Sequence, residues 1–199
     1  YTLSLHDALP ISLVDCSEGI ALLEDEHGVN PHIWLSALNA RQMALNMGAR
    51  LADLLPEHAG QISSNTSAYA ARLDALHQEL TAQLEALAER NIVTFHEAFP
   101  YFAEELGLNV VAAVTVEPDE APSPRMIAET VSLIQAYPVC PLFSEPGVAS
   151  DALEVIARET GQPVFELSPI TDGDGAADDY EAGMRQNVKT LVEALSGIF

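Results

Sequence analysis

Asn91-Ile92-Val93-Thr94-Phe95-His96-Glu97-Ala98-Phe99-Pro100-Tyr101-Phe102 is the stretch on which the fold turns. Ile92 to Phe95 is apolar, with β-branched and aromatic residues, which predicts a buried strand, and the residues from Glu97 onward begin a helix. His96 therefore falls at the carboxyl end of a strand, just ahead of a helix. In open α/β sheets the crevice beyond the strand carboxyl ends is where ligands bind. A helix N-terminus also disfavours the imidazolium and keeps the ring neutral, able to coordinate a cation. A lone histidine in this position is more often a satisfied core residue, so its role depends on what surrounds it.

Downstream the pattern is regular. A helix is expected over 98–106, closed at Gly107, then a strand over 110–116 and an acidic loop over 118–122. Ser123-Pro124 opens a helix to about residue 136, with Ser as N-cap and Pro at the first helical position. Strands over 139–144 and 164–167 follow, with helices over 149–160, closed by Gly161, and 180–195. Alternation of this kind means an α/β fold with a mostly parallel, doubly wound, four-stranded sheet. Asp172-Gly173-Asp174-Gly175 follows the last strand, which puts its carboxylates on the same sheet edge as His96.

Upstream, residues 66–90 hold no Gly or Pro, and Tyr69, Leu73, Leu76, Leu80, Leu84 and Leu87 recur every three or four positions. This predicts one long amphipathic helix of about seven turns, backing a core. Pro56 and Gly60 mark 56–65 as a loop, and Ser36 caps a helix over 37–55. Asn30-Pro31-His32-Ile33-Trp34-Leu35-Ser36 places a second histidine just ahead of that helix. Glu24-Asp25-Glu26-His27 is a solvated connector or a weak cation trap, 12–15 a strand end, and 16–19 a turn. His58 and His77 carry no partner signal and read as ordinary surface or boundary residues. Tyr1 to Ile11 matches the in-frame translation of a sequencing adapter and is set aside, together with His6 and Asp7.

Thirty acidic residues against eight basic ones give a net charge of −22, which argues against a nucleic-acid partner. An apolar content of 48% supports a real core. Cys16 and Cys140 lack C-x-x-C spacing, so neither a thiolate metal site nor a redox pair is indicated. No run reaches the roughly 18 apolar residues of a membrane span. His96-Glu97 starts like H-E-x-x-H, but Pro100 stands where the second histidine belongs. The chain also has no G-x-S-x-G elbow, no Walker loop and no G-x-G-x-x-G after a strand. Two histidines at separate element ends with a carboxylate at a third suit Zn²⁺ or Mn²⁺ rather than Ca²⁺ or Mg²⁺.

Asn-Pro-His32-Ile-Trp-Leu-Ser, Thr-Phe-His96-Glu-Ala-Phe-Pro-Tyr-Phe, Pro-Ser-Pro124, Phe143-Ser-Glu145-Pro146 and Met184-Arg185-Gln-Asn187 resemble the metal-binding substrate-binding proteins of zinc and manganese ABC importers, in order and spacing. The resemblance implies two α/β lobes joined by a rigid helix, with the metal between them. It divides the chain into 1–12 from the adapter, 13–65 as an N-terminal lobe remnant, 66–90 as the interdomain helix and 91–199 as the C-terminal lobe. It makes His32 the N-lobe ligand, His96 the first C-lobe ligand and Asp172 the carboxylate ligand, with Asp174 its neighbour and rival. Relatives bring one more histidine from earlier in the N-terminal lobe, and Glu24 to His27 resembles the end of their acidic, histidine-bearing loop.

The expected function is extracytoplasmic, periplasmic capture of Zn²⁺, or Mn²⁺, by a monomer that hands it to an ABC permease, with no bond chemistry. The alternatives are a metal-dependent hydrolase on the same His, His, Asp site, and an adhesin sharing the fold. Truncation is expected to leave residues 13–55 less well supported than the C-terminal lobe.

Overall fold

The computed structural model describes residues 12–25, 28–115, 121–148 and 151–196. A two-residue antiparallel hairpin, β1 (Glu24–Asp25) and β2 (Gly28–Val29), precedes α1 (Ala37–Leu54) and α2 (Ala59–Leu84). Strands and helices then alternate: β3 (Asn91–His96), α3 (Pro100–Leu106), β4 (Asn109–Thr115), α4 (Pro124–Ile134), β5 (Leu142–Ser144), α5 (Asp151–Thr160), β6 (Val164–Glu166) and α6 (Asp179–Leu195). All pairings among β3 to β6 are parallel, in the order β4-β3-β5-β6.

Both faces of this sheet are covered. Ile92 and Phe143 pack into a layer with Leu76 and Leu80 of α2, Phe102 of α3 and Leu191 of α6. Val93, Phe95 and Leu142 point the other way, to Ile134 of α4 and Leu153 and Ile156 of α5. A central strand buried on both faces has no polar side to show, which is why β3 reads as a continuous apolar run. The fold is thus the doubly wound α/β arrangement that the alternation implies.

Caps place several element ends. The Ser36 hydroxyl accepts from Asn39 N–H and Ser123 from Met126 N–H, each starting a helix at the next residue. Gly107, at φ +66°, ends α3 in the left-handed conformation that glycine adopts without strain.

Other ends move. The long helix begins at Ala59 rather than residue 66, because Pro56 starts a 3₁₀ turn, Pro56–His58, where its missing N–H needs no partner. It stops at Leu84 rather than residue 90, and Arg90 then donates from Nη2 to Leu84 O (2.6 Å) and from Nη1 to Leu106 O (3.0 Å). One guanidinium so caps the carboxyl ends of both α2 and α3. The strand expected over 12–15 is absent, since Asp15 Oδ1 accepts from the backbone N–H (2.9 Å) and hydroxyl (2.7 Å) of Ser17 and bends the chain. Residue 116, positions 118–120 of the acidic loop and the expected start of α5 lie outside the described residues.

The helical stripe is as the spacing implies: Leu73, Leu76, Leu80 and Leu84 are fully buried. The segment before α2 is held mainly through α1. A carboxylate on α3, Glu105, accepts from Leu38 N–H at the start of α1 (3.2 Å) and from His77 Nδ1 on α2 (2.8 Å). His77, its side chain 27% exposed, is thus a boundary residue that also ties α2 to α3. The outer side of α1 leaves Met47, Leu51 and Leu54 more than 40% exposed. Both cysteines are free, and burial pushes the Cys140 thiol up to about 11, as befits a core residue.

α1 and α2 approach closely at Gly48, where an added Cβ would fall within 3.0 Å of three side-chain atoms of Thr66. Gly48→Ala is therefore expected to destabilise the chain by about 1–3 kcal/mol through overpacking, although alanine is the better helix former. Urea denaturation checks this, and adding Thr66→Ala to the variant should restore most of the loss. A Gly48→Ala chain as stable as the parent would mean that the helices separate at no cost.

Candidate metal centre

Strand order places the site. From β3 the chain crosses to β4 on one side, and from β5 to β6 on the other, so the topological switch point lies between β3 and β5. Ligands bind in parallel sheets at the carboxyl edge of such a point. His96 ends β3 there, and Glu145 directly follows β5. The parallel register pairs Thr94 with Phe143, and two residues further along each strand His96 stands abreast of Glu145. His96 Nδ1 lies 2.5 Å from Glu145 Oε1, with the two side chains 8% and 13% exposed. The strand end is fixed from the other side too, since Glu97 N–H donates to Thr115 O (3.1 Å) and Thr115 Oγ1 to Phe95 O (3.0 Å).

The same stretch seats His32. Asn30 Oδ1 accepts from His32 N–H and from His32 Nδ1, each at 3.0 Å, and Asn30 Nδ2 donates to Glu97 O (2.8 Å). The Tyr101 hydroxyl donates to Asn30 O (3.0 Å) and accepts from Leu23 N–H (2.9 Å). His32 is thereby set with its ring centroid 5.0 Å from that of His96, the planes at 79°. Carboxylate and amide oxygens only accept, so both Nδ1 atoms act as donors, and in the neutral rings the lone pairs are then on Nε2. An oxygen on the far nitrogen also fixes the orientation of the ring, as around metal-bound histidines generally.

Asp172 lies beyond β6 in an exposed loop, with Asp174, whose Oδ1 accepts from Ala176 N–H (3.0 Å). Among the described residues no three His, Cys, Asp or Glu side chains are gathered so as to hold an ion. The structure thus brings His32 and His96 together and adds Glu145, and leaves Asp172 on the loop. Glu26 and His27 of the acidic connector lie outside the described residues. The supporting roles of Glu145, Asn30 and Tyr101 depend on pairings far apart in sequence. Only the position of Glu145 at a strand end signalled anything beforehand.

A doubly wound sheet with a histidine pair at its switch point and a long helix behind it makes this an α/β protein with a candidate metal centre at the sheet's carboxyl edge. The family model described as "Zinc-uptake complex component A periplasmic" matches residues 3–194, and the chain belongs to that family. It is 31% identical over 169 residues to the zinc-binding protein AdcA of Streptococcus pyogenes serotype M6, covering 83% of this chain and 33% of that protein. The crystal structure of ZnuA superposes with a TM-score of 0.81 at 29% identity, over 92% of this chain and 69% of that one. FpvC from Pseudomonas aeruginosa in complex with Mn²⁺ gives 0.81 at 34% identity, over 92% and 69%. The chain spans about a third of the AdcA relative's length.

Proposed function

We propose that this chain is part of an extracytoplasmic receptor that captures Zn²⁺, or Mn²⁺, between two lobes and delivers it to an ABC permease. The ion is cargo, and the work is capture and release with no bond chemistry. In this reading the chain from residue 13 up to α2 belongs to the N-terminal lobe, α2 is the connecting helix and the chain from 91 onward is the second lobe, acting as a monomer. His32 and His96 supply Nε2 atoms, and Asp172 the carboxylate from the neighbouring loop.

The separation of the two rings carries the reading. Two imidazoles binding one tetrahedral ion at about 2.1 Å have centroids roughly 5 Å apart. The pair stands at 5.0 Å, with each Nδ1 on an oxygen acceptor. Nitrogen donors favour zinc over manganese. The names of the relatives, a zinc-binding protein and a manganese complex among them, agree with a transition-metal cargo.

Calorimetric titration with Zn²⁺ and with Mn²⁺ tests the proposal. Saturable binding of one Zn²⁺ per chain, tighter than Mn²⁺, is the expected result. A chain that takes up neither ion would overturn it.

A further inference from the structure

Trp34 is the only tryptophan of the chain, and it is tied at both its side chain and its backbone to a different part of the fold. Its indole Nε1–H donates to Pro169 O at 2.8 Å, and its own carbonyl accepts from the Tyr180 hydroxyl at 2.7 Å. Its ring lies 5.3 Å from that of His32. Pro169 belongs to the base of the loop that carries Asp172. That base is also held from α6, where the buried Asn187 accepts from Ser168 N–H (2.9 Å) and donates to Ser168 O (2.8 Å).

Just past this double anchor Ile170 has φ +53°, a left-handed conformation that a β-branched residue seldom adopts. Two contacts hold it there. Its N–H donates to Ser168 Oγ (3.0 Å), and its side chain lies against α6 so closely that a Cβ on Gly183 would stand 3.2 Å from it. From residue 171 to 178 every residue is exposed. The loop thus has a rigid base and a strained hinge, and its exposed tip is tied back only at its far end, where Gly175 and Ala176 N–H donate to Asp179 Oδ2 (2.8 and 2.9 Å) and Arg72 Nη2 donates to Ala177 O (3.3 Å).

We propose that Trp34 is a positioning residue, a latch whose indole joins the segment bearing His32 to the loop bearing Asp172 and sets how fast the metal leaves. The proposal rests on the reading of those residues as ligands. While the latch is made, the two segments cannot separate. When it breaks, the base of the loop loses one of its two anchors and Ile170 relaxes. Release accelerates, and capture, which is limited by encounter, does not.

Trp34→Phe keeps an aromatic ring and removes the donor; Tyr180→Phe removes the second tie. Two readouts decide the matter. Zinc dissociation, followed by stopped flow into excess chromogenic chelator, should be about three- to tenfold faster in Trp34→Phe, the worth of one net hydrogen bond. The association rate should hold. In chelator-treated protein, hydrogen exchange should quicken over 168–176 and over the joined segment 30–36 and nowhere else, and by less in Tyr180→Phe. Unchanged exchange over 168–176 in both variants, or acceleration spread over the whole chain, overturns the latch. A parent chain that binds no zinc would defeat the functional reading, and the exchange experiment would still decide the latch on the metal-free chain.

Discussion

Replacing His96 with alanine is expected to weaken zinc binding by about a hundredfold or more, the largest effect on function of any single change. In the neutral ring Nε2 offers the lone pair, because Nδ1–H donates to Glu145 at 2.5 Å. Alanine removes a nitrogen donor and leaves a carboxylate almost buried with no cation or N–H to meet it. Glu145→Ala should cost less, roughly ten- to a hundredfold, as expected of a group that orients a ligand without touching the ion. Glu145→Gln should cost least, because the amide oxygen still accepts from Nδ1. His58, exposed on its 3₁₀ turn, is the control, and His58→Ala should bind as the parent does. Competition against a fluorescent zinc chelator ranks all four chains. Parent-like affinity in His96→Ala would move the site elsewhere in the molecule.

That ranking separates what local sequence carries from what it cannot. His96 was legible because a β-branched run and the glycine and proline stops around it place the residue at a strand's carboxyl end, a decision made within a dozen positions. His32 was legible for a related reason, since Pro31 and the Ser36 cap bracket it ahead of a helix. The helix starts at Ser36 and Ser123 were equally local. Glu145 was not legible as the partner of His96, because their meeting depends on β5 lying beside β3 in a particular register. Asn30, Tyr101 and Trp34 depend likewise on contacts across 67 to 146 residues. The start of α2 was misplaced on Pro56 and Gly60, two residues that break a helix in mid-course but are tolerated at its threshold. Asp172 illustrates the converse: its loop position follows from the sequence, but how its carboxylate sits relative to the histidines is a tertiary matter on which composition is silent.

The second large effect concerns the layer beneath the site. Phe102 is fully buried between α2, α6 and the sheet, and packs edge-to-face on Phe99 with centroids 6.1 Å apart. Phe102→Ala should therefore cost about 3–5 kcal/mol of stability, the sum of lost transfer energy and an unfilled cavity. Leu51→Ala on α1, at a position 41% exposed in the parent, should cost less than about 1 kcal/mol, since little surface is returned to water. The two changes test where the stability of the chain resides. β3 is closed on both sides by apolar layers and α3 lies within one of them, whereas α1 keeps an apolar flank in solvent and is held by α2, including the Arg41–Asp74 pair, and by the Glu105 cap. Amides over 37–54 should accordingly exchange faster than those of 91–106, by sub-global opening. Phe102→Ala should lower the protection of 91–106 and also that of Leu23, whose N–H is held by the adjoining Tyr101 hydroxyl. Urea melts give the two energies and exchange mass spectrometry gives the order of opening. A small loss in Phe102→Ala with a large one in Leu51→Ala would place the main core in α1 instead of beneath the histidine pair.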